Sequence, residues 1–388
     1  KNLPADAVDK VQVYDRASDQ AQLTGFDDGN SEKTINLKLK QDKKKGMFGK
    51  VMAGGGTDDR FEGRFNVNSF KGARQFSAIG MANNTNAEGF SFMDMLNFTG
   101  QLSRMRSGGG AFSININSNE MPAGFNNNNN SIRTIWGGGL NYNNIIGNKT
   151  DFTSNYFYNH YNPKIESQVQ RQYFLPDTSW LYHQQSTSDN INNSHRLNLG
   201  ADIILDSFHS IKIKPSFGYQ QSRNKSLSEY ETFSLDGHMG SEGFSNSTSD
   251  NEGYNFSNEF LFRKKFRQKG RTISLALNTS LNANSGDGSL LSVNRFYDPH
   301  GNLTRNDSIN QVYATEADFK SYQARLAYTE PLFKKSLLEL SVAKSNSISS
   351  SQKTTWNYNK LSGKYDQLNE QLTNDFQNEY GYTTAGVR

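Results

Sequence analysis

Cysteine is absent from this 388-residue chain, so disulfides and thiolate metal sites are both excluded. Also missing is any run approaching the ~20 apolar residues that a membrane helix requires, which rules out a helical membrane protein. Neither sign of charge dominates. The 42 basic side chains stand against 38 acidic ones, a formal +4, too even a balance to argue for nucleic acid. G-x-S-x-G, H-E-x-x-H and P-loop patterns do not occur, and with them go the usual arrangements for nucleophilic, zinc-hydrolytic and phosphate chemistry. The six histidines, His160, His183, His195, His209, His238 and His300, never fall at paired metal-ligand spacing and are read as loop or turn residues. The expectation is a non-enzyme with no catalytic, cofactor-binding or metal residues, and no substrate-binding residue is assigned.

What the chain has is alternation. Hydrophobic residues make up 34% and aromatics 12%, with a mean hydropathy of -0.79. Disorder is a poor explanation, because disordered chains lack aromatic and β-branched residues. Phe61, Gly63, Phe65 and Val67 alternate with Glu62, Arg64, Asn66 and Asn68; Leu197, Leu199, Ala201 and Ile203 alternate with Arg196, Asn198, Gly200 and Asp202. Ile211, Ile213, Pro215, Phe217 and Tyr219 follow the same rule, as do Leu275 and Leu277, Leu326 and Tyr328, and Leu340 and Val342. Each such strand has one apolar and one polar face.

Short connections near Ser69, 145–149, Asp206, Arg263 and Glu330 take turns with long ones, rich in Asn, Ser and Gly, over roughly 84–130, 175–193, 223–252, 284–317 and 345–371. That asymmetry, with crossings of ~9–11 residues such as 196–206 and 272–283, is the pattern of transmembrane barrels. Trp136, Tyr142, Tyr219, Tyr254, Phe262, Tyr322 and Tyr328 are expected at or near strand ends, where interfacial aromatic girdles lie. About twelve strands follow Met47, the last cut off at Arg388. On this assignment Leu199→Arg costs ~2–4 kcal/mol near the bilayer midplane, and Asn198→Arg is tolerated in a wet lumen.

Other local patterns have plain explanations. Phe26-Asp-Asp-Gly-Asn30 and Asn284-Ser-Gly-Asp-Gly288 cluster oxygen ligands suited to calcium, yet miss the twelve-residue loop and are read as Asx-Gly turns. The glycines at 54–56, 108–110 and 137–139 open no phosphate-binding helix and are read as points of curvature or close approach. Basic runs at 43–45 and 263–271 are read as solvated links. Phe92, Met95, Leu96, Phe98 and Leu102 suggest a short helix in the first long loop, either folding over the lumen or packing on itself. Residues 126–130 are low-complexity asparagine.

The first forty residues resemble a known family. Val8-Asp-Lys-Val-Gln-Val-Tyr14, Thr24-Gly-Phe-Asp-Asp-Gly-Asn30 and Lys33-Thr-Ile-Asn-Leu-Lys-Leu-Lys40 are similar to the end of the plug in TonB-dependent outer-membrane receptors of Bacteroidota, SusC-like or of the related outer membrane β-barrel family. Thr34-Ile-Asn-Leu stands where many members carry a glycine before Ile-Asn. The resemblance implies an all-β, transmembrane antiparallel β-barrel of 22 strands around a plugged lumen, about half of it present here, preceded by the C-terminal end of an α/β plug domain. It divides the chain into plug at 1–40, linker at 41–46, and partial barrel with long extracellular loops at 47–388. It also implies a bacterial outer-membrane location, contact with outer-membrane lipid, coupling to the TonB-ExbB-ExbD complex, and room for a surface lipoprotein of SusD type. No cofactor is implied. The chain is expected to be an excerpt, with the TonB box and most of the plug outside it.

Import of a large or scarce ligand through a plugged barrel is the expected function. The alternative is a non-transporting surface barrel, an adhesin, secretion component or structural outer-membrane protein. A soluble all-β binding protein is the third option, and it requires the apolar faces to meet each other.

Overall fold

The computed structural model describes residues 8–17, 19–24, 31–40, 45–87, 131–174, 179–333 and 336–388. Strands β1 (Val8–Ala17) and β2 (Ser31–Leu39) pair antiparallel, Val11 opposite Leu37 and Val13 opposite Ile35. Between them lies a six-residue helix, α1 (Asp19–Thr24), in the stretch that the sequence presents only as polar. Its Ala21 and Leu23 are buried, while Val11 and Val13 stay exposed. A lone hairpin of this kind is marginal in water.

Among the described residues, the strands from Lys45 onward form one antiparallel meander: β3 (Lys45–Gly55), β4 (Phe61–Lys71), β5 (Arg74–Asn83), β6 (Ser131–Ile146), β7 (Thr150–Phe174), β8 (Ser179–Ile204), β9 (His209–Ser234), β10 (Met239–Lys265), β11 (Thr272–Tyr297), β12 (Leu303–Phe333), β13 (Ser336–Asn359), β14 (Lys364–Leu368) and β15 (Asn374–Val387). Each strand pairs with its sequence neighbour, except that β14 and β15 share one edge of β13 in succession. These thirteen strands fill twelve positions, in line with the number expected. The sheet is open, with β3 at one edge and β14–β15 at the other.

Turn chemistry explains one end of the sheet. Gly72, at φ +63°, occupies the first central position of the β4–β5 hairpin, where a type II′ turn needs positive φ. Gly147 and Asn148 both take positive φ in the β6–β7 turn, and the Lys149 amide donates to the Ile146 carbonyl at 3.2 Å. In the β8–β9 turn Asp206 accepts from the Phe208 and His209 amides at 2.7 and 2.9 Å, the local bonding that makes aspartate a turn residue.

The other end differs from expectation. Four of the five segments read as long loops are strand for most of their length. β9 and β10, for example, stay paired from His209 opposite Lys264 up to Phe233 opposite Met239, and β8 remains paired with β9 to Trp180 opposite Ser234. Strands β7–β13 therefore continue as one wall well beyond the apolar stretches. The fifth segment lies largely outside the described residues, as do the suggested helix near Phe92, the 126–130 asparagines, the 108–110 glycines and the Phe26–Asn30 turn.

One face of the sheet is crowded and the other is not. Among the described residues, every buried non-glycine residue of the sheet points to the same side. Among the described residues no second layer covers that side, so the crowding reflects bending of the sheet towards it. The crowded face is concave.

Candidate functional site

Strand register places the apolar sets on the convex face. Ile203, Ile211, Phe262, Leu275, Leu326 and Val342 form one unbroken rung of cross-strand partners from β8 to β13. Leu197, Phe217, Phe256 and Leu281 form another, higher up. Members of both rungs stand open: Phe217 is 43% exposed, Leu326 44% and Val342 48%. An aromatic belt borders the band on its upper side. The Trp136 ring lies 5.4 Å from Tyr158 and 4.8 Å from His160, Tyr158 lies 4.6 Å from His195, and Tyr219 pairs with Tyr254.

Above the belt the convex face turns charged, and the boundary is oblique. The first charged convex residue on each strand is Lys164, Asp189, Arg223, Glu252, Asp287, Lys320 and Lys344, from β7 to β13. Register carries this line from the rung of Lys225 down to the rung of Ile213, twelve residues over six strand-to-strand steps. With ~3.3 Å per residue and ~4.8 Å between strands, the boundary crosses the sheet at roughly 50°.

The concave face is mostly polar, with buried apolar residues at Ile79 and Met81 on β5, Ile135 on β6, Phe157 and Tyr161 on β7, and Ala327 on β12. Asn68, Ser77, Asn141, Asn155, Asn198, Ser216, Ser257, Ser280, Ser321 and Ser347 form a single rung across ten consecutive strands. Ser77 donates to Asn68 at 2.8 Å, Asn198 to Asn155 at 2.8 Å, and Ser216 to Asn198 at 2.5 Å. Nearer the short turns lies a charged cluster. Arg263 binds Asp202 at 2.5 Å and Ser210 at 2.9 Å, Lys214 faces Glu259 at 3.4 Å, and Arg325 reaches the buried Glu339 at 3.2 Å. At the lower margin of the convex face Arg271 grips both oxygens of Glu330 at 2.8 and 2.6 Å.

Several expectations are corrected by these positions. His160, His183 and His195 sit within strands, not in loops: convex-face histidines reinforce neighbouring rings, as where His195 Nδ1 meets the Tyr156 hydroxyl at 2.8 Å. Asn284–Gly288 is no turn; it runs through the middle of β11, paired on both sides. Tyr219, Tyr254 and Tyr322 are mid-strand, and they mark the edge of the apolar band because the strands continue past it. Asn198 is only 2% exposed, so an arginine has no room there, and tolerance belongs to exposed concave positions such as Asn278 instead. Among the described residues no group of His, Asp and Glu is arranged to hold a metal ion. No protein-family model and no curated protein matches this chain.

Proposed function

We propose that this chain forms part of a transmembrane β-barrel in a bacterial outer membrane, within a TonB-dependent receptor that imports a large or scarce ligand. The observation that carries the membrane assignment is the exposed apolar band on the convex face of β8–β13, opposite a face that carries the asparagine and serine rung. A soluble sandwich puts its apolar positions inside; a barrel in lipid reverses this. The oblique boundary supports the same assignment, because membrane-crossing strands tilt by ~45°, and a horizontal bilayer then cuts tilted strands along such a line. The band spans Ile211 to Tyr219 on β9, the ~9–11 residues that one crossing takes.

Import rests on the likeness of residues 8–40 to the end of a receptor plug. Ligand would enter past the wall above the membrane, and TonB, with ExbB and ExbD, would draw on the inner-membrane proton gradient to remodel the plug. No covalent bond changes, so the protein acts without enzymatic chemistry. A surface lipoprotein of SusD type would sit over the long-hairpin end. A surface adhesin is the second interpretation, favoured by the length of the paired wall itself.

The test is fractionation of cells that make the intact protein, followed by cross-linking to TonB with and without a collapsed proton gradient. Outer-membrane sedimentation with gradient-dependent TonB adducts is expected. A protein soluble without detergent contradicts the membrane assignment; one that inserts without TonB adducts overturns import and leaves the adhesin.

A further inference from the structure

The two ends of the large sheet differ in charge. From the last two residues of one strand to the first two of the next, the four fully described short turns carry eight cations, five of them between Lys264 and Arg271, against Asp151 and Asp206. The four fully described tips at the other end carry three cations and five carboxylates. On the convex face of β3–β5 the excess becomes a cluster. Lys45 stands directly opposite Lys71, and Lys71 opposite Arg74, so three cations share one rung across three strands. All three are exposed. Among the described residues no carboxylate pairs with them. The acids of these strands and their turns, Asp58, Asp59 and Glu62, lie at the opposite end; Glu62 is nine residues up β4, roughly 30 Å away. Like charges directly opposite one another destabilise a sheet, and an anion seated at the rung removes the repulsion.

The same rung marks the lower edge of an apolar surface. The next convex rung up is Met47, Ser69 and Phe76, followed by Gly49, Val67 and Ala78, then Val51, Phe65 and Gly80. Met47 is 76% exposed and Val51 80%. Unpaired cations therefore stand about 7 Å below side chains that are open and apolar, the order in which a lipid presents headgroup and acyl chain. The β10–β11 turn repeats the combination, with the Lys264 ammonium over the Phe266 ring at 5.1 Å and Arg267 and Lys269 exposed nearby.

We propose that the Lys45–Lys71–Arg74 rung binds the phosphate of an anionic glycerophospholipid in the leaflet on the short-turn side. Arg74 offers a planar fork to two phosphate oxygens, and the lysines close on the same group as point charges. Their long stems bring heads that start ~4.8 Å apart, strand to strand, onto one phosphate, while the acyl chains lie along Met47, Phe76 and Val51. A choline or ethanolamine headgroup carries a further cation into the cluster, and a glycerol headgroup does not. That difference sets the preference. The inference rests on the membrane assignment for its setting.

The experiment is native mass spectrometry of the intact protein released from nanodiscs of phosphatidylglycerol and phosphatidylcholine, mixed equally and matched in acyl chains. Retained phosphatidylglycerol should exceed phosphatidylcholine about tenfold or more, because each cation at an anionic membrane surface is worth roughly fivefold. In the triple variant Lys45→Gln, Lys71→Gln, Arg74→Gln the preference should fall towards parity, and Lys360→Gln with Lys364→Gln at a long-hairpin tip should leave it unchanged. Unfolding supplies a second readout. Loss of the cations relieves repulsion, so the triple variant should resist more urea than the unaltered protein in neutral detergent and less in phosphatidylglycerol bilayers. Equal retention of the two lipids by an inserted protein, a preference kept in the triple variant, or a shift of the same direction in both media would overturn the proposal. So would tighter retention of lipid A in a competing mixture, which assigns the rung to the opposite leaflet. A protein that enters no bilayer at all would sink the membrane assignment and the proposal with it.

Discussion

Asn198 donates its side-chain amide to Asn155 across the β7–β8 boundary at 2.8 Å, in a site only 2% exposed. Its oxygen also accepts from Ser216. Asn198→Ala removes both of these buried bonds, which should cost about 1–3 kcal/mol. Asn278→Ala, on the same face but exposed, should cost well under half as much. Urea unfolding midpoints in micelles compare the two.

Arg263 ties Asp202 to Ser210 with side-chain exposures of 13% and 32% for the ion pair. Arg263→Met removes two charge-assisted bonds and leaves Asp202 with only the more distant Lys212, 4.0 Å away. A loss of about 1.5–3 kcal/mol is expected. Adding Asp202→Asn should recover part of it in a double-mutant cycle, because the stranded charge is then gone.

A Cβ at Gly243 would sit 2.6 Å from the Tyr230 ring, so Gly243→Val would force Tyr230 off the sheet surface. Overpacking of this kind typically costs about 1–3 kcal/mol, and Tyr230→Ala in the same chain should relieve most of it. Near-ultraviolet circular dichroism of the tyrosines reads the displacement, and thermal unfolding reads the cost. A fully additive pair would contradict the contact.

The apolar-banded part of the fold was legible because hydropathy alternates there: Ile211 through Tyr219 is apolar at every second residue. Above Tyr219 that signal stops, and the sequence looks like loop. Alternation nevertheless continues in another property. In Gln221-Ser-Arg-Asn-Lys-Ser-Leu-Ser-Glu-Tyr-Glu-Thr232 the even positions are uncharged, whereas most of the odd ones carry charge. A period-2 scan of charge would have found β9 to its end. The asparagine and serine rung was not legible at all, since it exists only once register aligns ten strands. Helix α1 escaped notice because six residues offer too little periodicity.

At the far tip, Asp298 accepts from the His300 and Asn302 amides, both at 2.9 Å, and from the Asn302 side chain at 3.0 Å. The bonds from Asn302, backbone first, hold its carboxyl below the ordinary aspartate value of 3.8. A depressed folded value means that the contribution is present above the unfolded pKa and is lost as pH falls through the folded one. Amide protection at His300 and Asn302 should therefore stay level from pH 7 to 5 and drop below about 3.8. Asp298→Asn should flatten that profile.

Leu277 and Asn278 offer the most direct test of the inside-out assignment, because they are neighbours on β11 and both are exposed, one on each face. Each is replaced by arginine, and folding free energy is measured in lipid bilayers. The account predicts a loss of about 2–4 kcal/mol for Leu277→Arg and less than about 1 kcal/mol for Asn278→Arg. Equal costs, or a larger one at Asn278, would contradict it.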